Sequence, residues 1–306
     1  MRSASEHLEI VLANAAASEP LEVGLLGAVG CVLAEDVTIE DDNGTHTLLA
    51  RGTTIAARHI ALIAAANLGR VMVHPKPRVV VLTVGSELVD PGSHEDAHPD
   101  INGIALTAAA TAAGAMTFRV GPLASDSDKV RASIEDQLVR ADIIVAACGM
   151  SAGDYDLLTS VLRELGKVEF THVAMQPGGA QGYGVIGPDS TPIFVLPGSP
   201  VGALLSFDVF VRPLIRRLMG HTTLNHKMLE ATLESDVTSN KAETRYVRGQ
   251  LSSKGGIFSV KSLEGSEAHP LSGLGIANAL IVIPPGTEKI SQGKTVTVMC
   301  LDDTDE

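Results

Sequence analysis

The sequence predicts an α/β protein with a mainly parallel sheet and helices on both faces, plus a small N-terminal module and a C-terminal β-domain. Two apolar runs, 79–84 and 142–148, lack polar alternation, which is typical of strands covered on both faces. Between residues 78 and 220, such runs alternate with helical stretches, the pattern of right-handed βαβ units. After Gly220, short β-prone runs separated by glycine turns indicate the C-terminal domain.

Composition limits the partners of this 306-residue chain. Thirty-six acidic and 23 basic residues give a formal charge of -13, which repels nucleic acid and anionic membranes, so we expect neither as a partner. The three cysteines show no paired or metal-ligand spacing, so we expect neither disulfides nor zinc. No signal peptide and no run of 18 apolar residues is evident, so we expect a cytoplasmic protein.

We place three domains along the chain, at 1–74, 75–220 and 221–306. The first domain is predicted to contain a helix, a strand, a turn, a second strand and a second helix, at 5–13, 30–37, 40–45, 49–54 and 57–67. Pro75 to Pro77 form a linker, since proline neither continues a helix nor donates to a sheet.

The second domain is predicted to alternate strands with helices. Its strands are expected at 79–84, 116–121, 142–147, 168–174, 182–186 and 192–196, and its helices at 102–114, 126–140, 155–165 and 200–219. The third domain is predicted to contain strands at 228–237, 243–250, 257–263, 279–283 and 295–300.

Small and polar residues follow several of the predicted strands. The turn 149–153 offers backbone N–H groups at a helix N-terminus, which is either an anion cradle or a plain tight turn. Asp154 and Asp156 come next and either orient a cation or complement the helix dipole. Ser199 has the position of an N-cap, and this role alone would explain it.

Further polar residues stand at other strand ends. Glu87 follows the first apolar run, Asp100 or Asn102 caps the next helix, and Asp126 opens another. Glu87 either binds a ligand or is simply solvated. Because the carboxyl ends of parallel strands meet at one edge of a sheet, these turns are expected to converge on a binding site.

Five motifs occur here in the order found in molybdopterin molybdenumtransferases, a family that includes MoeA and the E domain of gephyrin. The motifs are residues 83–92, 100–102, 149–156, 176–178 and 196–200. In the third domain, 245–248 and 265–266 also resemble characteristic runs of the family. The chain therefore resembles this family along nearly its whole length, with a molybdopterin-binding-like second domain.

The resemblance implies a cytoplasmic homodimer acting in the last step of molybdenum cofactor assembly. Such a protein takes adenylylated molybdopterin and molybdate as substrates, uses Mg²⁺, and releases the metallated cofactor and AMP. We predict catalytic roles for Glu87, Asp126 and Asp154, with Glu87 and Asp154 as metal ligands. The predicted binding residues are Asn102, Gly149, Ser151, Gly153, Asp156, Pro197, Gly198 and Ser199.

The chain also departs from the family pattern. Family members insert a further domain where this chain has only 39–51, a carboxylate of the first motif is Ser86, and two motif lysines are Gln176 and Gly179. Since charge-assisted contacts stabilise anionic ligands, weaker anion binding is expected. Two other functions therefore stay open: a catalytically impaired paralogue acting as a dimeric binding or regulatory module, and a nucleotide or pterin hydrolase.

Overall fold

A computed structural model describes residues 1–42, 44–93, 98–149, 152–264 and 271–302. The chain begins with a helix and then forms small sheets around a second helix. These elements are α1 (Ala4–Leu12), β1 (Leu21–Gly24), β2 (Val32–Leu33), β3 (Val37–Asp41), β4 (Gly44–Leu49), α2 (Ala57–Ala65) and β5 (Arg70–His74). Strands β1, β5 and β2 form one sheet, and β3 pairs with β4 as a hairpin.

Helix α1 is separated from the elements that follow it. Ser3 begins the helix through a capping box with Glu6, which satisfies two backbone donors. Its apolar side, including Val11, packs on the core of the central domain and not on the β1–β5–β2 sheet. Helix α1 therefore contacts the central domain, and the domain division at 1–74, 75–220 and 221–306 stays a prediction.

The central domain follows. Its elements are β6 (Arg78–Val84), β7 (Leu88–Val89), β8 (His98–Pro99), α3 (Ile101–Ala112), β9 (Met116–Leu123), α4 (Ser127–Leu138), β10 (Ile143–Cys148), α5 (Ala152–Leu165), β11 (Gly166–His172), β12 (Met175–Gln176), β13 (Ala180–Ile186), β14 (Thr191–Leu196), α6 (Pro200–Ser206), a π-helical turn (Phe207–Val211) and α7 (Arg212–Leu218). Six strands form the sheet in the order β11-β13-β14-β10-β6-β9. Strands β14, β10, β6 and β9 are parallel, while β13 and β11 are antiparallel to their neighbours.

Both faces of this sheet are buried, as the unbroken apolar runs predict. Val81 and Val145 face a core shared with α1, α3 and α7, whereas Leu82 and Ile144 face a core shared with α4 and α5. Successive strand residues point to opposite faces, so a continuous apolar run serves both cores at once.

The C-terminal elements are β15 (Met228–Leu233), β16 (Val237–Thr238), β17 (Thr244–Lys254), β18 (Ile257–Ser262), a 3₁₀ turn (Ser272–Gly275), β19 (Ala279–Ile283), β20 (Lys289–Ile290) and β21 (Thr295–Cys300). Strands β17, β18, β15, β21 and β19 pair in this order. Because β19 also pairs with β17, the sheet closes into a barrel. Val247, Val260 and Ile281 are among the buried residues of the enclosed core. The short strand β12 pairs with β17 and so joins the central domain to this barrel.

The structure corrects several predicted boundaries. The helix predicted at 200–219 is interrupted by the π-helical turn, directly before a segment that contains Pro213, whose ring and missing N–H disfavour a regular helix. Helix α5 begins at Ala152 and not at 155. The strand predicted at 49–54 lies instead at Gly44–Leu49, so the second strand of the hairpin begins within the turn predicted at 40–45. Strands β1 and β5 were not predicted.

No helix in the part of the chain that the structure describes is both long and apolar enough to span a bilayer.

Candidate functional site

A cavity of about 250 Å³ opens at the carboxyl edge of the central sheet. It lies where the parallel strands β6, β10 and β14 end, the position expected for a ligand site in an open α/β sheet. The residues that line it come from four separate segments: Glu87, Leu88, His98, Pro99, Asp100, Ile101, Asn102, Cys148, Gly149, Gly198 and Pro200.

The side chain of Asn102 joins two of these segments. Its Nδ2 donates a 2.7 Å hydrogen bond to the carbonyl oxygen of Gly198, which precedes α6. Its Oδ1 is buried and has no hydrogen-bond partner among the described residues. Because a carbonyl oxygen can only accept, the bond to Gly198 fixes which side of the amide is Oδ1. A buried acceptor is thus available at the cavity.

Asp100 is the N-cap of α3 and is 1% exposed. Its carboxylate accepts hydrogen bonds from the backbone N–H of Gly103 at 2.8 Å and from Oγ1 of Thr83 at 2.7 Å. The guanidinium of Arg119 completes the set, with its Nη2 2.6 Å from Oδ2 of Asp100. A buried charge is tolerated when it is paired and hydrogen-bonded in this way.

Two carboxylates approach Gly149 at the end of β10. A Cβ atom placed on Gly149 would lie 2.0 Å from Oε1 of Glu87 and 3.5 Å from Oδ2 of Asp154. Asp154 is 5% exposed, and its Oδ2 has no hydrogen-bond partner in the residues that the structure describes. Glycine is therefore required at 149 for Glu87 to come this close.

A chain of hydroxyl contacts fixes the orientation of Asp154. The backbone N–H of Ser125 donates to Oγ of Ser86 at 2.8 Å, and the backbone N–H of Ser86 donates to Oγ of Ser125 at 3.1 Å. The hydroxyl of Ser125 in turn donates to Oδ1 of Asp154. The turns after β6 and β9 are thereby tied to the first turn of α5.

Cys148 lies at the same edge, and its thiol is free and buried. Its burial, together with the negative charges of Asp154 and Glu87, raises the pKa of the thiol to about 12. The thiolate form, which is the reactive species, is therefore scarce near neutral pH.

Comparison with known proteins identifies the two larger domains. Residues 80–217 match the family described as a probable molybdopterin binding domain. Residues 230–301 match the MoeA C-terminal region, domain IV. The chain is also 40% identical over 259 residues to molybdopterin molybdenumtransferase 1 of Mycobacterium tuberculosis. The chain belongs to the MoeA family.

Other relatives agree with this assignment. Molybdopterin molybdenumtransferase 2 of Mycobacterium tuberculosis is 33% identical over 85% of this chain and 65% of its own length. Transferase 1 is matched over 82% of this chain but 60% of its own length, so the chain spans about 60% of the length of these MoeA relatives. The crystal structure of a MoeA protein from Pyrococcus horikoshii matches the fold with a TM-score of 0.82 at 22% identity, covering 98% of this chain and 99% of that one.

The structure brings some of the predicted MoeA site residues together. Glu87, Asn102, Gly149 and Gly198 line the cavity, and Asp154 lies beside Gly149. Pro197 directly precedes Gly198. Ser151 lies outside the described residues, and Gly153 is the second residue of α5.

The remaining predicted residues have other contacts. Asp126 caps α4 by accepting from the backbone N–H groups of Asp128 and Lys129. Ser199 caps α6 by accepting from the N–H of Gly202 at 3.3 Å. Asp156 is exposed on α5. For these three residues a role in ligand binding or catalysis stays a prediction.

Sequence reasoning missed the contribution of residues 88, 98 and 99 to the cavity wall, as well as the pairing of Asp100 with Arg119. It also missed a second cavity of about 470 Å³ between α6 and the C-terminal barrel. Gln176 and Pro177 lie there beside Arg245, whose Nη2 is 2.5 Å from Oε1 of Glu264. Residues 176–178 form one of the family motifs, and the pairing of β12 with β17 brings Arg245 beside them.

Proposed function

We propose that this chain is a molybdenum cofactor biosynthesis protein that binds adenylylated molybdopterin at the 250 Å³ cavity and transfers molybdate to it, with release of AMP. The observation that carries the proposal is the pair of buried acceptors, Oδ1 of Asn102 and Oδ2 of Asp154, that lack partners among the described residues. Leaving a buried acceptor unpaired costs about 1 to 3 kcal/mol, so a ligand that satisfies both is favoured.

The two acceptors suit different parts of such a substrate. A pterin carries ring and exocyclic N–H groups, which are the donors that the Oδ1 of Asn102 needs. A carboxylate such as Asp154 does not pair directly with phosphate oxygens, because both are negative, so a cation must lie between them. We propose that Mg²⁺ fills this role.

The residues around Gly149 fit Mg²⁺. This ion is usually held by one or two carboxylates and completed by water and substrate phosphates. Glu87 and Asp154 supply the two carboxylates, and the described residues contain no cluster of three His, Cys, Asp or Glu that would form a complete protein cage. When bound, the ion neutralises phosphate charge as the adenylate leaves.

The chain itself contributes positioning and space. Ser125 holds one oxygen of Asp154, which leaves the other free to face Gly149. The contact of Asn102 with Gly198 sets the distance between α3 and α6. A Cβ atom on Gly198 would lie 2.7 Å from the carbonyl oxygen of Gly149, so glycine lets the two turns approach closely. We further propose that the protein works as a cytoplasmic homodimer, as the family resemblance implies.

Incubation of the purified chain with adenylylated molybdopterin, molybdate and Mg²⁺ tests this function, with AMP release and reconstitution of a molybdenum enzyme as readouts. We expect both products, and we expect Glu87→Gln and Asp154→Asn to reduce them. Glu135→Gln, an exposed charge removal on α4, is the matched control.

Two other outcomes would replace the proposal. Tight molybdopterin binding without molybdate transfer would indicate a binding or regulatory module. Turnover of nucleotide without pterin binding would indicate a hydrolase. The comparisons favour neither alternative over the transferase-like function.

A further inference from the structure

Arg119 on β9 bonds to two acidic residues, one directly after β7 and one directly after β8. Its Nη1 is 2.6 Å from Oδ1 of Asp90, and its Nη2 and Nε are 2.6 and 3.2 Å from Oδ2 of Asp100. The side chains of Arg119 and Asp100 are 19% and 1% exposed, so their ion pair is shielded from much of the solvent, whereas the side chain of Asp90 is 61% exposed. A planar guanidinium can hold two carboxylates at fixed angles, which an ammonium group cannot do.

The pair of short strands that directly precede these two acids, β7 and β8, forms a wall of the cavity. Strand β7 pairs with β8, with Leu88 opposite His98 and residue 89 opposite residue 99. The backbone N–H of Asp100 also donates to the carbonyl oxygen of Val89 at 2.9 Å. Leu88, His98 and Pro99 line the cavity. Arg119 therefore links the residues that follow β7 and β8, and it does so from outside the cavity.

The same guanidinium also acts on the start of α3. Asp100 caps this helix, and Asn102 follows two residues later with its Oδ1 buried at the cavity. A Cβ atom on Gly103 would lie 2.1 Å from Oδ2 of Asp100 and 2.9 Å from Nε of Arg119. Glycine at 103 thus allows the Asp100–Arg119 ion pair to lie in close contact with the first turn of α3. A shift of Asp100 would move Asn102 with it.

We propose that Arg119 is a positioning residue for the ligand site, holding the wall formed by β7 and β8, together with Asn102, in its binding geometry through Asp90 and Asp100. Arg119 does not line the cavity. The inference rests on the proposed function for the identity of the ligand, molybdopterin, but the ordering of the wall is testable without any ligand.

The chain offers a matched control at the opposite edge of the same sheet. Arg78 at the start of β6 bonds to Asp142 just before β10, with Nη2 to Oδ1 at 2.9 Å and Nε to Oδ2 at 3.2 Å. This pair also joins an arginine on a strand of the central sheet to an aspartate, but it lies at the amino ends of the strands. Its removal tests the loss of an Arg–Asp pair without touching the cavity.

The experiment compares Arg119→Gln, Arg119→Lys and Arg78→Gln by calorimetric titration with molybdopterin and by amide hydrogen exchange of the ligand-free protein. We expect Arg119→Gln to weaken binding by about 10- to 100-fold, the range found when the partners that orient metal-ligating side chains are lost. We expect faster exchange at 98–103 in the same variant. Arg119→Lys should recover part of the affinity, and Arg78→Gln should change neither readout at the cavity.

A double variant, Asp100→Asn with Arg119→Met, separates two possible roles of Arg119. One role is to position the wall and Asn102, and the other is only to neutralise the buried carboxylate of Asp100. If Arg119 only neutralises Asp100, the double variant will bind molybdopterin like the wild type, and the proposal is wrong. Unchanged exchange at 98–103 in a folded Arg119→Gln protein would also overturn it. If the wild type itself fails to bind molybdopterin, the proposed function fails, while the exchange comparison still decides whether Arg119 orders this wall.

Discussion

The side-chain amide of Asn102 donates a 2.7 Å hydrogen bond to the carbonyl oxygen of Gly198, a residue 96 positions away. This single contact ties the first turn of α3 to the turn before α6. It also fixes which side of the amide is Oδ1, and this atom is buried and has no hydrogen-bond partner among the described residues. The contact is therefore both structural and, by our proposal, part of ligand recognition.

Asn102→Ala is expected to weaken molybdopterin binding by about 2- to 10-fold, which corresponds to one hydrogen bond of about 0.5 to 1.5 kcal/mol. Asn102→Asp is expected to weaken it further, because a carboxylate oxygen would then face the carbonyl oxygen of Gly198. Calorimetric titration measures both variants. The control is Asn240→Ala at an exposed position, and equal affinity of all four proteins would remove Asn102 from the site.

Gly149→Ala is expected to displace Glu87, since the new Cβ would overlap its Oε1. The variant should lose the Mg²⁺ dependence of ligand binding while the sheet stays folded. Titration in the presence and absence of Mg²⁺ measures this effect. Gly24→Ala is the control, because nothing lies within 4 Å of a Cβ atom there. Retained Mg²⁺ dependence in Gly149→Ala would show that Glu87 does not approach the cation.

The imidazole of His7 is expected to make the stability depend on pH. Burial against Phe210, with Arg2 nearby, lowers the pKa of His7 from 6.5 to about 4. Because the folded state favours the neutral ring, its stabilising contribution is complete above pH 6.5 and is lost as the pH falls toward 4. The loss is on the order of 3 kcal/mol, at about 1.4 kcal/mol for each pH unit.

Urea unfolding at pH 7 and pH 4.5 measures this effect on the free energy of unfolding. His7→Leu should flatten the pH dependence in this window, since the group that titrates is gone. The exposed histidine His98 provides the control through His98→Gln, which should leave the acid-side slope intact. An equal slope in His7→Leu and wild type would contradict the assignment.

The three cysteines are expected to resist thiol reagents in the native state. All are free and buried, and burial raises the pKa of Cys31, Cys148 and Cys300. A maleimide at pH 7.5 should label native protein slowly and urea-unfolded protein fully. For Cys148, a pKa raised from 9.0 to about 12 also means that stability falls as the pH rises through this range. Rapid labelling of native Cys148 would show that the end of β10 opens to solvent.

Much of the central domain was predictable from periodicity. The run 79–84 has apolar residues at every position except Thr83, and such a run is typical of a strand covered on both faces. Once the strands are known to be parallel, their carboxyl ends must share an edge. The residues at those ends, Glu87, Asn102, Gly149 and Gly198, were therefore predictable as neighbours.

Several features depended on contacts that leave no local pattern. A lone arginine such as Arg119 looks like any exposed charge on a strand, and its two carboxylate partners are 19 and 29 residues away. Asp126 and Asp154 are both acidic residues near the start of a helix, yet one caps its own helix and the other is bound by a serine from another turn. Sequence alone cannot separate them, because the difference is made by the neighbouring turn.

The sequence by itself determined the order of the main strands and helices of the central domain, the two-sided core of the central sheet and the edge at which a ligand would meet it. These features follow from side-chain periodicity, which is set by neighbouring residues in the chain, and from the right-handedness of βαβ units, which holds for nearly all such folds. Only the tertiary structure decided which polar atoms at that edge are bonded to each other and which remain available. That outcome depends on distances of a few tenths of an ångström between residues far apart in the chain, where a single hydroxyl or guanidinium satisfies one carboxylate and leaves another unpaired.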